Sequence, residues 1–329
     1  MKPHVLLVND DGPPSPSSPY VLQLYRALVE HGWSVRVVLP SSQKSWSGTT
    51  YTVSQREVRY WYYYPLKDNF TGTDPGTAEC WSDTRRAIDY ARGEIAEWVL
   101  VDGSPSTCTN VGLFTGDALF GCADAGACDL VVSGPNFGRN SGTAFAVSSG
   151  TLGAALAGSL CDVRSVAISY GHFATNPPTL EPGPGRAKLD EDEAAEAAAL
   201  ACQHSVTILQ QLWDQWDRDA DVQAYSINVP LAETLREPQV RWHYPLPTAP
   251  DRVDRTPPLG IPITGSNAHD GSYLVFRPDL RQSLRPPEPD LEPGTDAWAM
   301  CKGIIGIARL RAGIAEVIAE EELAPPSCT

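Results

Sequence analysis

The chain has 329 residues, 42% hydrophobic and 20% charged, and Lys+Arg 25 against Asp+Glu 40 gives a formal net charge of −15. This is the composition of a globular protein with room for one large domain or two ordinary ones, and it excludes a disordered chain. The acid excess excludes a polynucleotide-backbone binder, which needs clustered Lys and Arg, and no apolar run nears the roughly 18–20 residues of a membrane span.

Taken in chain order, Met1-Lys2-Pro3-His4 leads straight into Val5-Leu6-Leu7-Val8, an apolar run of strand length. A continuous run of this kind suits a strand covered on both faces. With no longer apolar leader and no small-residue cleavage site in view, a cytoplasmic location is expected. Asn9-Asp10-Asp11-Gly12 follows as a turn cluster. Ser18 and Pro19 supply a helix N-cap and first helical residue, Val21, Leu24, Tyr25, Leu28 and Val29 fall at helical spacing, and Gly32 sits at a C-terminal cap. Val35, Val37, Val38 and Leu39 form the next strand, stopped by Pro40. Strand, helix, strand in this order implies a right-handed crossover in a parallel sheet.

Residues 61–93 open with the aromatic run Trp61, Tyr62, Tyr63, Tyr64 and continue polar, which reads as an insertion. Trp98-Val99-Leu100-Val101 is a strand entering Asp102-Gly103-Ser104-Pro105, with a helix from about Thr107. Leu130-Val131-Val132 is a strand entering the glycine-rich residues 133–142. A helix of small residues runs from Ser149-Gly150-Thr151 to about Leu160, and Val166-Ala167-Ile168-Ser169 is another strand. Residues 188–216 are a long helix whose first turn carries Asp190, Glu191, Asp192 and Glu193, matching the helix dipole. Its apolar stripe is Leu209, Leu212, Trp213 and Trp216, and the tryptophans belong to the core. Residues 245–294 are rich in proline and read as an extended arm or irregular loop.

Eight cysteines are scattered along the chain with no C-x-x-C pair, so reduced thiols are expected and a zinc site is not. The six histidines show no metal-ligand spacing, and neither a P-loop, a dinucleotide fingerprint nor a G-x-S-x-G elbow is present. What remains lies just after the strands, where open parallel sheets bind ligands. Asn9-Asp10-Asp11-Gly12 is either a plain turn or a seat for a hard cation, which takes carboxylate and carbonyl oxygens. Ser149-Gly150-Thr151 is either an ordinary helix cap or a helix N-terminus that receives a phosphate.

Together these segments resemble the SurE (survival protein E) family of metal-dependent nucleotidases. The resemblance rests on Val8-Asn9-Asp10-Asp11-Gly12, on residues 39–48 (LPSSQKSWSG), and on Val101-Asp102-Gly103-Ser104-Pro105-Ser106-Thr107-Cys108. It is carried further by residues 131–140 (VVSGPNFGRN) and Ser149-Gly150-Thr151-Leu152-Gly153-Ala154-Ala155, with later landmarks at Ser226-Ile227-Asn228-Val229-Pro230 and Thr295-Asp296-Ala297-Trp298-Ala299. It is dense over residues 5–170 and sparse afterwards, and looks closest to a cytosolic fungal-type branch.

The resemblance implies an α/β fold, Rossmann-like, with three αβα layers, a mostly parallel sheet and an irregular Pro-rich C-terminal arm or β-hairpin extension. A single domain is expected, with a core over about residues 5–230 and residues 231–329 packing back on it. One divalent cation, Mg²⁺ or Mn²⁺, would be held by Asp10, Asp11, Ser45 and Asn136, with the two aspartates also the catalytic candidates. A phosphate or substrate pocket is implied at Asn9, Ser104, Asn140, Ser149, Gly150 and Thr151. The expected substrate is a nucleoside 5′- or 3′-monophosphate or another small phosphomonoester. Neither a nucleic-acid duplex nor a membrane is an expected partner, and a homodimer or higher homo-oligomer is expected. Ser104 and Thr107 replace the family's usual Thr and Asp, Ala157 replaces an acid, and residues 303–310 depart from the family strand. These departures keep two rival readings in play: a catalytically weak nucleotide-binding or protein-interaction module, and a broad-specificity acid phosphatase.

Overall fold

A computed structural model describes residues 2–51, 57–67, 80–121, 128–172, 191–216, 221–243 and 292–313. In chain order the elements are β1 (His4–Val8), α1 (Val21–Glu30), β2 (Ser34–Pro40), β3 (Tyr60–Tyr63), β4 (Trp81–Ser82), β5 (Trp98–Val101) and α2 (Pro105–Phe120). They continue with β6 (Leu130–Phe137), α3 (Thr143–Ser148), α4 (Gly150–Leu160), β7 (Arg164–His172), α5 (Glu191–Gln215), β8 (Ala224–Leu231), β9 (Val240–Trp242), α6 (Asp296–Cys301) and β10 (Ile305–Leu310).

The strands form one sheet in the order β4-β3-β5-β2-β1-β6-β7-β8-β10-β9. The run from β5 through β8 is parallel throughout. Antiparallel pairing is confined to the flanks, at β3 on β4 and β5 and at β10 on β8. The β1 alternation shows why this is a three-layer α/β/α fold. Val5 and Leu7 join the core beneath α1 and α5, whereas Leu6 and Val8 join the core beneath α2 and α4. Successive strand side chains point to opposite faces, so an unbroken apolar run must be covered on both. Trp216 is buried in the α1/α5 core and Trp213 packs against it, as their place on the helical stripe predicts.

Three local readings change. The aromatic run at 61–64 is not wholly an excursion: Tyr60–Tyr63 pairs antiparallel with β5 and widens the sheet. Its bulky rings fill both faces, which hides the alternation that marks a half-buried strand. Ser18 does not cap α1. The helix starts at Val21 after Tyr20, with no side-chain cap. The Ser18 hydroxyl instead donates to the Gly12 carbonyl at 2.8 Å, because the Asn9 turn folds back over it. The helix after Ser104 starts at Pro105, two residues earlier than read, since Ser104 itself is the N-cap. The Pro-rich residues 245–291 and the first acidic residue of the long helix, Asp190, lie outside the described residues.

All six described cysteines are free. Among the described residues no helix is long and apolar enough to cross a membrane.

Candidate active site

Parallel strands deliver their following loops to one edge of the sheet, and β1, β2, β5 and β6 sit side by side. Asn9, Asp10 and Asp11 leave β1 and are all buried, at 0%, 2% and 3% exposure. Asn9 braces the turn. Its Nδ2 donates to the Gly12 carbonyl at 2.8 Å and to Ser18 Oγ at 3.2 Å, and its Oδ1 accepts from Gly12 N at 3.0 Å. Gly12 adopts φ +85, and a Cβ there would meet the Pro40 carbonyl at 3.3 Å, so a side chain would push the turn off β2. The Asn9 side chain is thus occupied in holding the loop that presents the two carboxylates.

Three neighbouring loops reach that pair. Lys44 N donates to the Asp10 carbonyl at 2.7 Å, which docks the loop after β2. Phe137 N donates to Asp11 Oδ2 at 2.7 Å, which docks the end of β6. The Thr151 hydroxyl donates to Asp10 Oδ1 at 2.6 Å, which docks the head of α4. These bonds bring together the segments carrying Asp10, Asp11, Asn136, Gly150 and Thr151. Asn136 Nδ2 donates to the Gly138 carbonyl at 2.8 Å, leaving its Oδ1 as an acceptor. Ser45 follows the docked Lys44 and is exposed.

The other sequence candidates sit one step back. Ser149 Oγ accepts from Leu152 N at 3.1 Å as the N-cap of α4. Ser104 Oγ accepts from Thr107 N at 3.2 Å as the N-cap of α2, and its hydroxyl donates to the Thr50 carbonyl. It therefore ties down the far end of the loop after β2. Asn140 belongs to a separate network: its N–H donates to Asn228 Oδ1 at 2.9 Å and its Nδ2 to Ser169 Oγ at 2.9 Å.

The structure adds residues the sequence reading did not place in the site. Gln43 Nε2 approaches Asp11 Oδ1 at 3.5 Å. Ser47 Oγ is shut off from solvent without a hydrogen-bond partner. A Cβ on Gly150 would stand 2.7 Å from that oxygen, 2.8 Å from Asp10 Cβ and 3.0 Å from Asp10 Oδ2. Asp296, on α6, is buried and accepts from Gly142 N at 2.8 Å, fixing the loop beyond Asn140. Ser47, Asn228 and Asp296 all fall inside the quoted motif runs, and that was their only visible signal.

Burial raises the Asp10 carboxyl above the ordinary carboxylate range, against the Thr151 hydroxyl and nearby N–H groups, which favour its charged form. Burial also raises Asp11, and the charge on Asp10 pushes it the same way, against the Phe137 N–H and Gln43. Among the described residues neither aspartate joins a salt bridge. Nor do three His, Cys, Asp or Glu side chains gather there into a metal cluster. The available donors are instead two carboxylates, an amide oxygen and a hydroxyl. Two adjacent buried carboxylates that make no salt bridge among the described residues, with the Asn136 segment docked beside them, fit a hard divalent cation.

The profile of the family described as survival protein SurE matches residues 5–245. The chain is 29% identical over 260 residues to "Probable tubulin--tyrosine ligase PBY1" of Saccharomyces cerevisiae, covering 74% of this chain and 30% of that protein. It is 32% identical over 171 residues to the 5′-nucleotidase SurE of Desulfitobacterium hafniense, covering 52% of each. The chain thus spans about a third of the first relative and about half of the second. The crystal structure of the SurE protein from Aquifex aeolicus aligns with a TM-score of 0.58 at 20% identity, over 95% of both chains, a likeness of fold.

Proposed function

The chain belongs to the SurE family, and on that premise we propose that it is a divalent-metal-dependent phosphomonoesterase acting on nucleoside 5′- or 3′-monophosphates. The observation that carries this reading is the buried Asp10–Asp11 pair, held at the strand ends without a cationic side chain among the described residues.

Asp10, Asp11, Asn136 and Ser45 would hold Mg²⁺ or Mn²⁺, which when bound shields phosphoryl charge and makes a coordinated water a better nucleophile. The chain's own groups do the positioning. The Thr151 hydroxyl fixes one Asp10 oxygen and the Phe137 N–H one Asp11 oxygen, and Gln43 Nε2 approaches the other Asp11 oxygen at 3.5 Å. Gly150 opens α4 without a side chain, and a Cβ there would collide with Asp10 and Ser47. The head of that helix can therefore close on Asp10, whose charged form its N–H groups favour, and its dipole suits a phosphate at the same end. Ser149 and Thr151 brace that helix start from either side of Gly150.

The test is phosphate release from a panel of nucleoside monophosphates, with and without EDTA, for the wild type and for Asp10→Asn and Asp11→Asn. Chelation and either substitution are expected to lower turnover by at least ~100-fold, the scale for removing a group that stabilises transition-state charge. Turnover that survives both rejects the metal-dependent reading.

A further inference from the structure

We propose that the Ser47 hydroxyl is a substrate contact, donating a hydrogen bond to a phosphoryl oxygen bound beside Asp10 and the head of α4. The inference rests on the phosphomonoesterase reading and extends its site by a residue outside the cation-holding set.

Its basis is an unmet hydrogen-bonding group in a fixed place. Buried polar atoms in native proteins are almost always partnered, and an exception calls for a ligand, an ion or a water. Ser47 Oγ is buried and unpartnered. The position of a Cβ on Gly150 would lie within 3.0 Å of both Ser47 Oγ and Asp10 Oδ2, so hydroxyl, carboxylate and helix head converge closely at one place. Ser106, Ser133, Trp98 and His243 also carry unpartnered buried atoms. Ser47 shares the Gly150 Cβ position with Asp10.

The backbone carrying this hydroxyl is held on both sides. Lys44 N is bonded to the Asp10 carbonyl at 2.7 Å and Gly48 N to the Ser148 carbonyl at 2.9 Å. Between these anchors Trp46 adopts φ 65, a conformation rare for a bulky residue, with its ring packed on Phe145 at 5.6 Å. The strained turn lets Lys44 and Gly48 both dock while Ser47 points inward. A donor fixed in advance, where phosphoryl charge will sit, is the arrangement that favours the transition state.

Ser47→Ala and Ser47→Thr separate this role from a structural one. In EDTA, the melting temperature of Ser47→Ala is expected to equal or exceed the wild type, since the change removes a buried group that satisfies nothing. With Mn²⁺ present, calorimetric affinity for inorganic phosphate is expected to fall on the order of tenfold, the scale of a hydrogen bond to a charged group. Mn²⁺ affinity without phosphate should not change, and Ser47→Thr should restore phosphate binding. A lower melting temperature with unaltered phosphate affinity overturns the proposal in favour of a packing role. A parallel loss of Mn²⁺ affinity overturns it in favour of a cation donor. If the wild type hydrolyses nucleotides and Ser47→Ala matches it in every measurement, this inference alone fails. If the wild type neither binds phosphate nor releases it, the phosphomonoesterase reading fails as well.

Discussion

Two regions bury carboxylates, and they treat them in opposite ways. Glu94, between β4 and β5, has a side chain only 1% exposed and meets the Arg86 guanidinium through two oxygens, at 2.6 Å and 2.7 Å. It also accepts the Asp89 N–H at 2.7 Å, and the guanidinium lies over the Tyr64 ring at 3.8 Å. The Arg86 hydrogen bond holds the Glu94 carboxyl below its ordinary range, outweighing burial. Asp10 and Asp11 are as deeply buried, but they receive only neutral donors, and burial keeps both carboxyls high. The fold supplies a bidentate arginine for a structural acid and, among the described residues, no ion pair for Asp10 and Asp11, a difference that the proposed cation would account for.

The largest effects test that contrast directly. Asp11→Asn should abolish most turnover, by ~100-fold or more, while raising the melting temperature in EDTA by about 2 °C or more. The gain is expected because the substitution removes a buried carboxyl whose charged form burial and Asp10 both disfavour. Loss of activity together with loss of stability would show that the aspartate is a structural acid like Glu94.

Glu94→Gln should do the reverse: unchanged turnover, and a loss of about 2 kcal/mol seen by denaturant melting. The pH dependence has a fixed sign. The Glu94 carboxyl is depressed in the folded protein from its ordinary 4.5. The stability it contributes is therefore complete above about pH 4.5 and disappears as pH falls through the folded value. The gap between wild type and Glu94→Gln should stay constant from pH 6 to 8 and close in acid.

How much of this was legible in the sequence follows from which interactions are local. The parallel strands were legible because each is an unbroken apolar run, such as Val5–Val8 and Trp98–Val101, and their loops had to share one sheet edge. The carboxylate pair was legible as adjacent residues in one loop. Ser47 was written in the same run as Ser45, but that its hydroxyl lies buried against the Gly150 position follows from the Trp46 backbone, and composition does not encode that. Asn228 and Asp296 lie 88 and 154 residues from the backbone N–H groups they satisfy, at Asn140 and Gly142. No periodicity links such partners. Glu94 and Arg86, eight residues apart across the end of the stretch 61–93 read as an insertion, gave no hint of a buried ion pair.

The Asn140 network offers a smaller test, a buried polar cluster that is satisfied without any charge. Asn228→Ala leaves the Asn140 N–H without its acceptor, Asn228 Oδ1, which should cost about 1–3 kcal/mol. Turnover should fall by less than tenfold if the cluster only holds the loop. A loss that matches Asp11→Asn at unchanged stability would place Asn140 at the substrate, as the family resemblance implies.

The smallest expected effect decides how the head of α4 is shared between folding and binding. Ser149 is both a sequence candidate for the phosphate and the observed N-cap, accepting Leu152 N at 3.1 Å. Removing a serine cap costs on the order of 1 kcal/mol, about 2–4 °C for a domain of roughly this size. Ser149→Ala should show that loss in full, whereas Ser149→Asp, which caps equally well, should recover it. The two variants part at the substrate. A second negative charge beside Asp10 opposes an incoming phosphate, so Ser149→Asp should weaken inorganic-phosphate binding while Ser149→Ala leaves it within a few-fold of the wild type. If Ser149→Ala weakens phosphate binding as strongly as Ser47→Ala, the cap hydroxyl has a second bond to make, and α4 presents two serine donors instead of one.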